Sequence, residues 1–97
     1  MRRVLITGGS GFLGAWILRR LLQQGTAARI FDRNIDRSKV AEVAGAGAAA
    51  NAEWHEGDIR RTEEVARAAE GCDGIIHLAG VLTPACIADP VRGAEIN

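Results

Sequence analysis

The sequence predicts an α/β fold, an open parallel sheet with helices on both faces. Three observations predict it. Apolar runs of strand length alternate with stretches of helical periodicity along the chain, the first strand runs through a glycine turn straight into a helix, and turn or capping residues mark the changes of period.

Residues 2–6 are rich in β-branched and aliphatic side chains and form the first strand. Thr7-Gly8-Gly9-Ser10-Gly11-Phe12-Leu13-Gly14 follows, which satisfies GxGxxG read from Gly9 and GxxGxxG read from Gly8. The early glycines permit a tight turn with positive φ, Gly11 lets the backbone approach a phosphate, and Gly14 lets the first helix lie close on the sheet. A helix N-terminus carries unpaired N–H groups and partial positive charge, so this turn predicts a bound pyrophosphate and hence a dinucleotide. Over residues 15–24 the apolar positions 14, 17, 18, 21 and 22 keep the spacing of a helix buried on one face, and Gly25 supplies its C-cap.

Residues 27–31 form the second strand, which ends in Asp32 at about 20 residues from the glycine loop, the distance of a ribose-binding acid. A carboxylate there accepts hydrogen bonds from both ribose hydroxyls and repels a 2′-phosphate, which favours NAD over NADP. The adjacent Arg33 pulls the other way, since a guanidinium accommodates a 2′-phosphate. The order acid then base sets the expectation at NAD. A turn or helix-capping role for Asp32 is the competing reading.

Residues 34–37 read as a turn and 38–44 as a short helix. The alanine- and glycine-rich stretch 45–51 reads as a frayed helix end and loop. Residues 52–56 alternate as the third strand, at the sheet edge, with His55 facing solvent. Beyond that strand's C-terminal end, Asp58 suits acceptance of the exocyclic amine hydrogen of adenine, and Ile59 suits packing on the ring. Capping of the next helix competes for Asp58, because Thr62 reads as an N-cap followed by the first-turn acids Glu63 and Glu64.

That helix covers 62–70 and ends at Gly71. Residues 73–78 read as a fourth, fully buried strand in which His77 is a satisfied core histidine. Ala79 and Gly80 are small enough to let a cofactor lie across the strand tip. After the loop 81–88, Asp89 and Pro90 mark a helix start, N-cap and first helical position, and the last residue is Asn97.

A chain of 97 residues suffices for one domain with a modest core. Apolar content of 47%, charged content of 25% and zero formal net charge are ordinary globular values. No basic stripe points to nucleic acid or an anionic membrane, and no apolar run is of membrane-spanning length, so the expectation is a cytoplasmic protein. Cys72 and Cys86 lack metal-ligand spacing and read as buried, reduced thiols; His55 and His77 fit no metal motif.

Four blocks, in this order, resemble the N-terminal half of an extended short-chain dehydrogenase/reductase of the NAD-dependent epimerase/dehydratase family: TGGSGFLG at 7–14, Asp32 at the strand end, GDIR at 57–60 and HLAG at 77–80. Asp89-Pro90 followed by Asn97 resembles the family's helix with an active-site asparagine. The resemblance implies a Rossmann-type sheet. It also implies pyrophosphate contacts at Gly8, Gly11, Phe12 and Leu13, the adenosine ribose at Asp32, and adenine at Asp58 and Ile59. Leu78, Ala79 and Gly80 match the stretch beneath the nicotinamide ribose, and Asn97 matches an asparagine that orders the active site, a frayed terminal residue being the alternative.

The family's chemistry uses a tyrosine and lysine in YxxxK, yet this chain has no tyrosine, and its one lysine, Lys39, lies on an early helix. The expectation is therefore residues 1–97 as the cofactor-binding portion, catalytically incomplete, with four strands in the order 3-2-1-4. The YxxxK segment and substrate domain are expected to be absent, and the small-molecule substrate belongs to the full-length enzyme. A fourth strand left at the edge invites self-association. The alternative is a non-catalytic dinucleotide-sensing module completed by a partner.

Overall fold

The first strand, β1 (Arg3–Thr7), is apolar from Val4 to Ile6 because it lies inside the sheet with helices on both sides. The computed structural model describes residues 2–80 and 87–97. After β1 come α1 (Phe12–Gln23), β2 (Ala27–Asp32), α2 (Arg37–Ala44), α3 (Ala46–Asn51), β3 (Glu53–Glu56), α4 (Thr62–Ala69), β4 (Gly74–His77) and α5 (Pro90–Ile96). The strands pair in parallel in the order β3-β2-β1-β4, as the sequence predicts.

Alternation along the strands builds two cores. Val4 and Ile6 of β1 and Ala28 and Ile30 of β2 share one face with Leu18 of α1 and Val40 of α2. Leu5 and Phe31 point the other way and meet Ala68 of α4. Leu18 is fully buried, and its truncation to alanine would cost about 2–5 kcal/mol. Arg29 holds α4 in place: its Nη1 donates to the carbonyls of Ala68 and Glu70 at 2.5 and 2.6 Å, where the helix dipole favours a cation, and its Nε donates to Glu53 Oε2 at 2.8 Å.

Four expectations need correction. Residues 45–51 are not a frayed loop: Ala46–Asn51 is a helical turn and a half whose Ala49 is buried, and Trp54 Nε1 donates to the Ala49 carbonyl at 3.2 Å. Thr62 is not the N-cap of α4; Arg61 holds that position, and no side chain caps the helix because a guanidinium has no acceptor, while the Glu64 carboxylate accepts from the Asp58 N–H. The fourth strand is not fully buried. Ile75 is 58% exposed, and His77 is exposed. His55 is half-buried, with its ring 5.5 Å from Phe31, where solvent exposure was expected. Cys72 is a half-buried free thiol, and Cys86 lies outside the described residues.

Parallel register brings the C-terminal ends of the strands to one edge. Thr7 pairs with Phe31 and with His77, and Asp32 pairs with Glu56. Loops leaving that edge therefore converge, which is where open parallel sheets bind ligands.

Candidate functional site

A cavity of about 320 Å³ opens at this edge, in the size range of small-ligand sites. Gly8, Gly11, Asp32, Arg33, Asp58, Ile59, Leu78, Ala79 and Gly80, all singled out from the sequence, line it together. Phe31, Asn34, Gly57, Arg92 and Ile96 line it as well and were not anticipated. The last two had a legible signal, since positions 92 and 96 share a face of the helix that Asp89-Pro90 announces.

The glycines of the loop do different work. Gly8 has φ +70°, and a Cβ there would lie 2.7 Å from the Ala79 nitrogen. Gly14 is pressed against the loop itself, since a Cβ would lie 2.5 Å from the Gly9 carbonyl oxygen. At Gly11 a Cβ would meet only the Gly8 carbonyl oxygen, at 3.5 Å, so open space rather than packing surrounds that position. Gly11 is the N-cap of α1, with no side-chain cap and no acid in the first turn. Phe12 and Leu13 follow it with exposed side chains at the positive end of the helix, and neither they nor Gly14 line the cavity. Ser10 Oγ is buried nearby without a hydrogen-bond partner.

Asp32 ties this loop to the end of β2. Its Oδ2 accepts from the Ser10 N–H at 3.0 Å and its Oδ1 from the Arg33 N–H at 2.7 Å. It caps no helix; Asp36 does that for α2, accepting from the Lys39 N–H at 3.0 Å. Asp58 is likewise no helix cap. The Arg60 guanidinium binds it side-on, Nη2 to Oδ2 at 2.8 Å and Nε to Oδ1 at 3.1 Å, and these bonds hold its carboxyl well below the usual carboxylate range. The Asp58 N–H donates to Glu64 Oε2 at 2.6 Å.

Thr7 fastens the opposite wall. Its Oγ1 accepts from the N–H groups of Leu78 and Ala79 at 3.1 and 3.4 Å, which leaves the hydroxyl proton for His77 Nδ1 at 2.5 Å. His77 is therefore satisfied, though at an exposed strand end rather than in the core. Asn97 Oδ1 lies close enough to Gly80 that a Cβ there would come within 2.9 Å of it.

The sequence profile of the NAD dependent epimerase/dehydratase family matches residues 4–97. The chain belongs to that family. Among family relatives, a 3-beta-hydroxysteroid dehydrogenase from Mycolicibacterium neoaurum is 39% identical over 84 residues, 82% of this chain and 20% of the relative. Vestitone reductase from Medicago sativa is 35% identical over 82 residues, 79% of this chain and 24% of the relative. The chain thus spans about a quarter or less of the length of these relatives. The crystal structure of a UDP-glucose-4-epimerase from Stenotrophomonas maltophila, with bound NAD and formylated UDP-arabinopyranose, superimposes with a TM-score of 0.81. That alignment is 25% identical and covers 100% of this chain and 30% of the epimerase. The four-stranded parallel sheet is accordingly the Rossmann-type sheet of the epimerase/dehydratase family. Among the described residues, no helix is long and apolar enough to cross a membrane, and no group of three or more His, Cys, Asp or Glu is placed to hold a metal ion.

Proposed function

We propose that this chain is the NAD-binding portion of an oxidoreductase of the epimerase, dehydratase or reductase kind, acting on a nucleotide-sugar or a related alcohol or carbonyl substrate. One observation carries the reading: the uncapped N-terminus of α1, the Asp32 carboxylate and the Asp58-Ile59 pair all converge on a single cavity. The residues fit a dinucleotide. Gly11 leaves open the space a phosphate requires, and the first turn of α1 holds donors with no acid to compete for them.

In this reading Gly8, Gly11 and the N–H groups of Phe12 and Leu13 cradle the pyrophosphate, while Gly14 lets α1 approach the loop. Asp32 accepts from the adenosine ribose hydroxyls, with Arg33 beside the 2′ position. Asp58 and Ile59 receive adenine. Leu78, Ala79 and Gly80 lie beneath the nicotinamide ribose, and Asn97, against Gly80, supports the active-site end. When bound, NAD supplies a hydride acceptor at C4 of the nicotinamide. Taking the hydroxyl proton of a substrate needs a further group, and the 97 residues contain no tyrosine to do so. We therefore read the chain as binding the cofactor without completing the reaction by itself, in a cytoplasmic setting.

Calorimetric titration of the chain with NAD and with NADP tests this. Saturable binding with NAD preferred is expected. Asp32→Ala should weaken NAD about tenfold and raise the NADP-to-NAD affinity ratio, because the repulsion of a 2′-phosphate goes and Arg33 stays. Absence of binding refutes the proposal, and an unchanged ratio in Asp32→Ala refutes the ribose role.

A further inference from the structure

The Asp58 carboxylate offers about four lone-pair positions. Arg60 occupies most of them. Oδ1 accepts from the Arg60 backbone N–H at 2.9 Å and from its Nε at 3.1 Å, while Oδ2 accepts from Nη2 at 2.8 Å and shares the same Nε at 3.2 Å. The Nε hydrogen is divided between the two oxygens, so Oδ2 keeps one acceptor position open. The other edge of the guanidinium reaches α5, with Nη1 3.6 Å from Glu95 Oε2. From behind, Glu64 pins the Asp58 backbone. Two neighbours in the chain, Arg60 on the carboxylate and Glu64 on the backbone, together with the distant Glu95 on Arg60, thus hold Asp58 in one orientation.

We infer that Arg60 is a specificity-determining positioning residue, which fixes Asp58 as a single-acceptor group so that the site selects a purine bearing an amino group over one bearing a carbonyl. This rests on the reading of Asp58 and Ile59 as the adenine end of a dinucleotide site. An ionised carboxylate can only accept, so it rewards the exocyclic amine of adenine and repels the carbonyl oxygen of hypoxanthine. Asp58 is ionised at neutral pH with or without Arg60, whose hydrogen bonds only lower an already acidic carboxyl further, so what the fork adds is a fixed orientation. Without the guanidinium the carboxylate stays ionised but is free to rotate, so its open acceptor position no longer holds a fixed place for the amine.

The test is titration of the chain with NAD and with nicotinamide hypoxanthine dinucleotide, which differ at the purine 6-position and in the proton that the 6-oxo ring carries on N1. The unmodified chain should prefer NAD by about tenfold or more, the worth of one hydrogen bond to a charged group. Arg60→Gln should bring that preference within about threefold, and Arg60→Lys, which keeps the charge without the fork, should fall between. Should Arg60→Gln not fold, Arg60→Lys is read against the same ratio. Equal weakening of both dinucleotides by Arg60→Gln, with the ratio intact, assigns the residue a purely structural role and overturns the inference. A chain that binds NAD but does not discriminate overturns it too, and leaves NAD binding standing. A chain that binds neither dinucleotide overturns the reading beneath it as well.

Discussion

Alanine at position 14 would place a methyl carbon 2.5 Å from the Gly9 carbonyl oxygen and 2.6 and 2.7 Å from Gly9 Cα and C, separations that real Cβ atoms essentially never show. All three neighbours are backbone atoms of the loop, so no side chain can swing aside. The helix α1 must retreat by about 1 Å, the gap between these separations and a carbon contact of about 3.5 Å. Overpacking of this kind costs about 1–3 kcal/mol, and the better helix propensity of alanine returns about 1 kcal/mol. The net loss is then about 0–2 kcal/mol, and its midpoint of about 1 kcal/mol corresponds to a Tm lower by roughly 4–8 °C in a domain of this size. Gly11→Ala is the internal comparison. Its Cβ meets only one atom, at 3.5 Å, and its φ of −79° and ψ of 176° suit any residue. That variant should keep its Tm within about 2 °C while losing dinucleotide affinity, because the methyl group enters the phosphate's approach. Thermal unfolding by far-ultraviolet circular dichroism, paired with NAD titration, separates the two effects. Equal Tm values for both variants, or Gly14→Ala at full stability, would refute the division of labour between these glycines.

The remaining predictions concern acid stability and the sheet edge. Asp73 accepts from the N–H groups of Arg2 and Arg3 at 2.9 and 3.1 Å, and these bonds lower its carboxyl pKa in the folded chain. The unfolded chain then takes up the proton first, so this stabilisation is present above an unfolded value near 3.9 and is lost as the pH falls below it. Asp73→Asn should flatten the acid limb of Tm against pH; an unchanged slope would refute the assignment. Ile75→Lys should reduce the self-association we expect of the open β4 edge, read as a lower weight-average mass by sedimentation at high concentration. Equal masses for the two proteins would rule out edge pairing.

Strand order and direction were legible because each depends on a local signal, the period of apolar residues and the turn between elements. The glycine loop and Asp32 were legible because their spacing is set by one strand, one helix and the next strand. What escaped depends on neighbours distant in sequence. Six residues rich in alanine carry no apolar stripe, and Ala46–Asn51 is helical because Ala49 packs on the core and Trp54 closes its end. Ile75 and Ile76 look alike in the chain, yet Ile76 packs against the Val4 and Ile6 cluster, while Ile75, beside Leu5 on the α4 side, is left 58% exposed. Arg60 reads as one more surface cation until Asp58 and Glu95 are seen on either edge of it.

The wall of the cavity is drawn from residues near positions 8, 32, 58, 79 and 92, five stretches that meet only when every parallel crossover has been made. The first strand, helix and second strand bring together only part of that wall, and a chain with only those formed lacks the part drawn from residues near 58, 79 and 92. Long-range parallel pairing of this kind is slow to assemble. A dinucleotide bound across such a wall recognises the finished topology alone, so its binding energy is returned in full as stability: about 2.7 kcal/mol at a ligand concentration one hundred times Kd. For a sheet with an uncovered β4, that makes the occupied chain a thermodynamically different molecule from the empty one, with fewer excursions to states that expose its edge.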